Sequence, residues 1–177
     1  MVRSLGRAFV PDTLRHRGAA LISVGRLSHE KGFDIAVDAA KLLKDRGMTF
    51  EWHILGGGAE RENLEQQIGA NGLQEYVYLE GVQSNPYAYM ANADLLVQPS
   101  RIEGRSIVLD EAKMTGIPII ATRYRTAADQ LQDGVDGVIV DMTPEALARG
   151  IQQLMDDEPL RSRIREYQLA HNYDNIS

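Results

Sequence analysis

The chain has 177 residues and carries 19 Lys and Arg against 25 Asp and Glu, a formal net charge of −6. It contains no cysteine, which excludes disulfide scaffolds, cysteine-bound metal centres and a thiol nucleophile. Phosphate backbones select basic surfaces, so the acidic balance argues against nucleic acid as the main partner. No run approaches the ~20 apolar residues of a membrane span, and residues 1–18 lack the apolar core of a signal peptide. We therefore expect a cytoplasmic protein with one domain.

Short apolar runs alternate with helical patterns along the whole chain. Strands are predicted at residues 20–24, 50–55, 76–79, 94–97, 118–121 and 137–140. Helical spacing or helix-start signals fall between them, at residues 33–43, 59–68, about 106–115, and from 86, 144 and 159 onward. Strands that are apolar throughout and alternate with helices build a parallel sheet covered on both faces. The sequence predicts a doubly wound, Rossmann-like α/β sheet of about six strands.

Ligands of such sheets bind beyond the carboxyl ends of the strands, where the strand order reverses. The loop after the first predicted strand begins at Gly25 and brings Arg26 and Lys31 to the start of a helix, which favours an anion such as a diphosphate. The alternative is a solvated loop with two surface cations. After the second strand, Gly57 and Gly58 allow a ligand to approach the backbone, although such a sequence also forms simple tight turns.

The segment after the fourth strand carries two carboxylates eight residues apart. Glu103 lies in the predicted loop, and Glu111 lies about five residues into the next helix, roughly 7.5 Å along its axis. This separation excludes a close acid pair and suits two contacts with one extended ligand. Backbone N–H groups of residues 104–107 are expected to be unpaired at the helix start. The alternative is an unrelated loop charge and helix-face charge.

In combination, these segments resemble the C-terminal domain of retaining glycosyltransferases with the GT-B fold. The matching stretches follow the family order and cover residues 20–160, and the most specific is the pair Glu103 and Glu111 with its flanks. The stretches are Ser23–Leu27 with Glu30–Gly32, His53–Gly58 with Arg61 and Leu64, Tyr78–Val82, Pro99–Gly104 with Glu111–Ala112, and Gly116–Thr122.

The resemblance implies residue roles. Arg26 and Lys31 would neutralise the diphosphate of a nucleotide-sugar, Glu103 would face the sugar hydroxyls, and Glu111 would accept hydrogen bonds from the ribose. The remaining binding residues would be Gly25, Gly57, Gly58, Gly81, Val82, Gly104, Arg105, Ser106 and Ile107. The predicted catalytic set is Arg26, Lys31 and Glu103. Since the two cations take the charge-neutralising role, no metal and no cofactor are expected.

Two residues depart from the family pattern. Arg105 stands where Phe is frequent and adds a third cation, and Asp110 stands where Leu is more usual. Arg105 leaves the identity of the sugar open, whereas Ser106 can still cap the helix. The glutamate after Asp110 is intact.

The resemblance also implies a domain organisation and partners. Residues 1–18 would be the remnant of an interdomain linker, and residues 19–177 the nucleotide-sugar-binding domain. The expected function is to bind the sugar donor, with a UDP-sugar favoured, for transfer to a glycan or lipid-linked acceptor held by a second domain. Peripheral membrane association of a longer protein would fit such acceptors. Two alternatives are a sugar-nucleotide 2-epimerase of the same fold and a non-catalytic nucleotide-binding α/β module.

Overall fold

Six parallel strands form the centre of the computed structural model, which describes residues 10–171. The strand order is β3-β2-β1-β4-β5-β6. The strands are β1 (Ala19–Val24), β2 (Phe50–Leu55), β3 (Val77–Gly81), β4 (Leu95–Gln98), β5 (Ile119–Thr122) and β6 (Val138–Val140). Apolar side chains bury themselves in two clusters, because successive side chains of a strand point to opposite faces. The predicted doubly wound α/β sheet is confirmed.

Seven helices lie among the described residues. They are α1 (Phe33–Asp45), α2 (Arg61–Ala70), α3 (Pro86–Asn92), α4 (Ile107–Thr115), α5 (Ala127–Gln130), α6 (Pro144–Asp156) and α7 (Glu158–His171). Asn85, Ser106 and Thr143 cap three of them, each accepting a hydrogen bond from the backbone N–H three residues later. The four-residue α5 and a 3-10 turn at His29–Lys31 were not predicted, because such short elements have no measurable apolar period.

Trp52 connects three neighbouring strands in the buried core. Its indole Nε1 donates to Ser23 Oγ at 3.0 Å, and that hydroxyl donates to the carbonyl of Val97 at 2.6 Å. Trp52 and Ser23 are both fully buried, so the bonds satisfy two polar groups that would otherwise be costly. This chain fixes β1 between β2 and β4.

Residues 13–17 pack against the sheet through a buried carboxylate. Glu51 accepts hydrogen bonds from the backbone N–H groups of Arg15 and Arg17, both at 2.8 Å. His53 bridges Glu51 at 2.9 Å and Glu80 at 2.7 Å. The predicted linker therefore has an ordered end at residues 10–18, whereas residues 1–9 lie outside the described residues. Its assignment as a linker stays a prediction.

The strand order reverses between β1 and β4, which are neighbours although β2 and β3 separate them in the chain. In such sheets a ligand crevice is expected beyond the carboxyl ends of the strands at this point. Among residues 10–171, no helix combines the length and the apolar character needed to cross a membrane.

Candidate functional site at the carboxyl edge of the sheet

Two loops meet at the switch point, one after β1 and one after β4. The backbone N–H of Arg101 donates to the carbonyl of Glu30 at 2.7 Å. Gly32 has a φ of +68°, and a Cβ there would lie 1.9 Å from the carbonyl oxygen of Pro99. Only glycine permits this approach, since a side chain would force the loops apart. The loops that carry the predicted site residues are thus held against each other.

Lys31 and Glu103 face each other across this junction. Lys31 Nζ lies 2.6 Å from Glu103 Oε1. Ser100 Oγ donates to the same oxygen at 2.8 Å. The Glu103 side chain is only 7% exposed, and that of Lys31 30%. Sequence analysis assigned the two residues to different parts of a ligand, whereas the structure joins them in one ion pair that a ligand would have to rearrange.

Arg26 is the exposed cation of the first loop. Its side chain makes no hydrogen bond or ion pair with another residue of the described range 10–171. It lines a cavity of about 300 Å³ whose other walls are Val24, Gly25, Leu55, Gly56, Gly57, Val82, Gln83 and Pro86. Gly25, Gly57 and Val82 of the predicted site therefore meet at one cavity. The Arg26 guanidinium can reorient beside a cavity with mostly apolar walls. Such a site suits a ligand that joins a flat ring to an anionic group.

The glycine at position 58 is explained by packing within the protein. A Cβ on Gly58 would lie 2.5 Å from the carbonyl oxygen of Leu27, so the glycine is required for the loops after β1 and β2 to pack. Gly104 differs, because its ideal Cβ would have no atom within 4 Å. Nothing in the described residues requires glycine at 104, and the open space above it is available to a ligand.

The start of α4 corrects one prediction. The backbone N–H of Ser106 was expected to be unpaired, but it donates to Gln130 Oε1 at 2.9 Å. The Ser106 hydroxyl accepts from the backbone N–H of Leu109 at 3.2 Å, so its predicted capping role is confirmed. By their position in the helix, Ile107 and Val108 keep N–H groups without intrahelical partners. Ile107 is also 70% exposed beside them.

Glu111 is the fifth residue of α4, as predicted, and is partly buried. Burial raises the pKa of its carboxyl, the hydrogen bond from the Tyr87 hydroxyl lowers it, and Asp110 raises it further, with a net increase. Burial and the neighbouring Glu111 carboxylate likewise raise the pKa of Tyr87. Tyr87, on α3, was not assigned to the site from the sequence. Its contact with Glu111 was missed because the two residues are joined by no local pattern.

Arg105 and Asp110, the two departures from the family pattern, contact each other. Arg105 Nη2 lies 3.1 Å from Asp110 Oδ1, and Arg105 Nε lies 3.2 Å from Oδ2. The Arg105 side chain is 70% exposed. A two-point contact of this kind orients the guanidinium over the start of α4. The exposed Arg105–Asp110 pair contributes little to stability. Its main effect is to orient the Arg105 side chain.

Tyr124 and Thr126, after β5, support the Glu103 loop and were not assigned from the sequence. Thr126 Oγ1 donates to the carbonyl groups of Glu103 and Gly104 at 2.8 and 2.9 Å. Tyr124 is 2% exposed. Burial and the nearby Glu103 carboxylate raise the pKa of the Tyr124 hydroxyl to about 12, so it stays a protonated donor at neutral pH.

The histidines and acids of the described range form no group of three or more arranged to hold a metal ion. The expectation that the protein needs neither metal nor cofactor stays a prediction.

Comparisons with known proteins agree with this architecture. The sequence profile of the family described as Glycosyl transferases group 1 matches residues 10–170. The chain belongs to this family. It is 34% identical over 150 residues to an alpha-D-kanosaminyltransferase of Streptomyces kanamyceticus, covering 82% of this chain and 39% of that protein. It is 31% identical over 147 residues to the lipopolysaccharide core biosynthesis glycosyltransferase LpsE of Rhizobium meliloti, covering 82% and 42%.

Solved structures share the fold. Anabaena HepE, crystallised in complex with UDP, superposes with a TM-score of 0.81 at 24% identity, covering 89% of this chain and 44% of HepE. WaaG, a glycosyltransferase involved in lipopolysaccharide biosynthesis, gives a TM-score of 0.81 at 23% identity, covering 97% and 46%. The chain therefore spans less than half the length of these members of the family.

Proposed function

We propose that this chain is the part of a glycosyltransferase that binds a nucleotide-diphosphate sugar, with a UDP-sugar favoured. The sugar would pass to a glycan or lipid-linked acceptor with retention of its configuration. The observation that carries the proposal is the contact of Lys31 with Glu103 at the carboxyl edge of the sheet, where Arg26 lies in the same loop as Lys31 and Glu111 in the helix that follows the Glu103 loop. Family membership and the UDP held by the similar HepE support it.

The geometry suggests how each residue would act. The cavity beside Arg26 and Val82 has room for the base, and Arg26 and Lys31 would balance the charge that develops on the departing diphosphate. Glu111 would accept hydrogen bonds from the ribose hydroxyls. Glu103, once Lys31 turns to the phosphates, would face the sugar.

Titration calorimetry with UDP, GDP, ADP and UMP tests the proposal. We expect UDP to bind more tightly than UMP, since a second phosphate reaches both cations, and more tightly than GDP or ADP. Arg163→Ala, which removes an exposed arginine of α7, should show the same preferences, because net charge alone does not select UDP over UMP. Equal affinity for UDP and UMP would contradict the proposal.

Transfer is expected to be slow with these 177 residues alone. Positioning of two reactants accounts for about 7–11 kcal/mol of a barrier, and the acceptor site is proposed to lie in a preceding domain. A single-turnover assay with radiolabelled UDP-glucose would compare this chain with a relative of full length on the same acceptor. Comparable rates would place the acceptor site within these residues and refute the division into two halves.

A further inference from the structure

The Tyr124 hydroxyl is a buried polar group without an assigned role. Tyr124 is 2% exposed, and its hydroxyl has no hydrogen-bond partner within the described chain. An unsatisfied buried donor destabilises a protein, and an apolar group of the same shape would be neutral or better. Phenylalanine at position 124 would therefore pack at least as well, and the presence of the hydroxyl requires another explanation.

Tyr124 follows β5 and Glu103 follows β4, and because these strands are paired in parallel the two residues lie in neighbouring loops. Burial and the Glu103 carboxylate raise the pKa of the Tyr124 hydroxyl. Thr126, two residues further along, holds the Glu103 carbonyl at 2.8 Å. Both bonds to the Glu103 side chain, from Lys31 and Ser100, end on Oε1. Across residues 10–171, Oε2 has no hydrogen-bond partner, so the carboxylate has capacity for a further donor.

A bound diphosphate would change the hydrogen-bond partners of the Glu103 carboxylate. Lys31 has one ammonium group, and a ligand with two phosphates would compete with Glu103 for it. The Glu103 side chain is only 7% exposed. A buried carboxylate that loses its cation is strongly destabilised unless other donors replace it. Ser100 supplies one donor, and the site needs a second.

We propose that Tyr124 is a positioning residue whose hydroxyl donates to the Glu103 carboxylate when a diphosphate draws Lys31 away. When the Lys31–Glu103 ion pair opens, the Tyr124 hydroxyl, which has no partner before, would form a charge-assisted hydrogen bond with Glu103. Glu103 would stay oriented toward the sugar. The identity of the competing ligand rests on the proposed function, whereas the response of Glu103 to losing Lys31 does not.

The first test uses stability and needs no nucleotide. Lys31→Met removes the ammonium and keeps the length of the side chain. In the natural background, Tyr124→Phe should leave the melting temperature unchanged or raise it. In the Lys31→Met background, where Glu103 depends on the hydroxyl, the same change should lower the melting temperature by about 2–4 °C. An identical effect of Tyr124→Phe in both backgrounds would overturn the inference.

The second test measures binding of UMP and UDP by calorimetry. Tyr124→Phe should leave UMP affinity unchanged and weaken UDP about tenfold, because only the diphosphate competes for Lys31. The control is Tyr89→Phe, which removes a buried hydroxyl that already has a partner, Thr13 Oγ1 at 2.6 Å. This variant should melt at a lower temperature and bind both nucleotides normally.

The outcomes separate the two proposals. Loss of UMP and UDP affinity together in Tyr124→Phe, or no loss of either, would overturn the role of Tyr124 in binding. If instead the natural chain does not prefer UDP to UMP while the stability effect changes sign as expected, the proposed function fails and the link between Tyr124 and Glu103 stands.

Discussion

Lys31 Nζ and Glu103 Oε1 lie 2.6 Å apart although 72 residues separate them in the chain. The contact spans the switch point of the sheet and joins the loops after β1 and β4. The residue expected to hold a phosphate thus already holds the residue expected to hold the sugar. Binding of a diphosphate at this site would be an exchange of partners, which makes the affinity depend on what Glu103 gains in return.

Replacing the two cations should remove the preference for a diphosphate. Arg26→Ala with Lys31→Ala is expected to bring UDP affinity down to that of UMP, whereas the natural chain should prefer UDP. The preference of the natural chain should shrink as salt is added, because mobile ions screen exposed charges. Calorimetry from 20 mM to 500 mM NaCl measures both effects. Lys41→Ala, which breaks an exposed pair with Asp45, is the control.

A double variant that still prefers UDP would show that other groups bind the second phosphate. The N–H groups at the start of α4 would then be the next candidates.

Glu111→Gln should weaken every nucleotide that carries a ribose. A hydrogen bond to a charged group contributes about 1.5–3 kcal/mol, so affinity should fall roughly tenfold or more. The pKa of Glu111 is raised above its ordinary value of 4.5. Nucleotide binding should therefore weaken as the pH falls through that raised pKa, because the protonated carboxyl loses its charge.

Calorimetry of UDP between pH 4 and pH 8 measures this pH dependence. Glu111→Gln should reduce it to the part that comes from the terminal phosphate of UDP, whose second pKa is about 6. Glu75→Gln, at an exposed position, is the matched control. A pH profile that is the same in Glu111→Gln and the natural chain would remove Glu111 from the binding site.

Sequence patterns predicted the scaffold better than the site. β2 was predicted with its observed bounds because a segment rich in aromatic and aliphatic residues ends at three glycines. Ser106 was predicted to cap α4 because its signal is local. The pair of Lys31 with Glu103 depends on which strands become neighbours, which no local pattern encodes. Tyr124 carries no signal at all, since a missing hydrogen bond is visible only after the chain has folded.

Glu51→Gln should destabilise the protein through the end of the predicted linker. Glu51 is 1% exposed, and burial raises its pKa, but the N–H groups of Arg17 and Arg15 and the His53 ring outweigh burial and lower it. Because the folded pKa lies below the unfolded one, the carboxylate stabilises the fold above about pH 4.5 and loses this effect as the pH falls further. The loss at pH 7 should be about 3–5 kcal/mol.

Urea unfolding of both proteins at pH 7 and at pH 3.5 measures this difference, which should be smaller at the lower pH. If the difference in the free energy of unfolding is the same at both pH values, the effect of Glu51→Gln comes from the shape of the side chain and not from its charge.

Arg105→Phe should change the choice of sugar without changing nucleotide affinity. The Arg105–Asp110 pair is exposed, so its loss should alter stability by no more than about 1 kcal/mol. Affinity for UDP should stay the same, while the ranking of UDP-glucose, UDP-N-acetylglucosamine and UDP-glucuronate should change. Competition calorimetry measures the ranking. An unchanged ranking would place Arg105 outside the sugar site.

The two cations proposed to bind the diphosphate have unequal partners, which implies an order of events. Arg26 is exposed and has no ion-pair partner within residues 10–171, so an arriving anion can meet it at a rate set by diffusion and ionic strength. Lys31 becomes available only after its bond to Glu103 opens. Association should therefore show two phases in stopped-flow fluorescence of Trp52 or of a labelled nucleotide. The fast phase would depend on salt and nucleotide concentration, and the slower phase would reach a limit set by the protein alone.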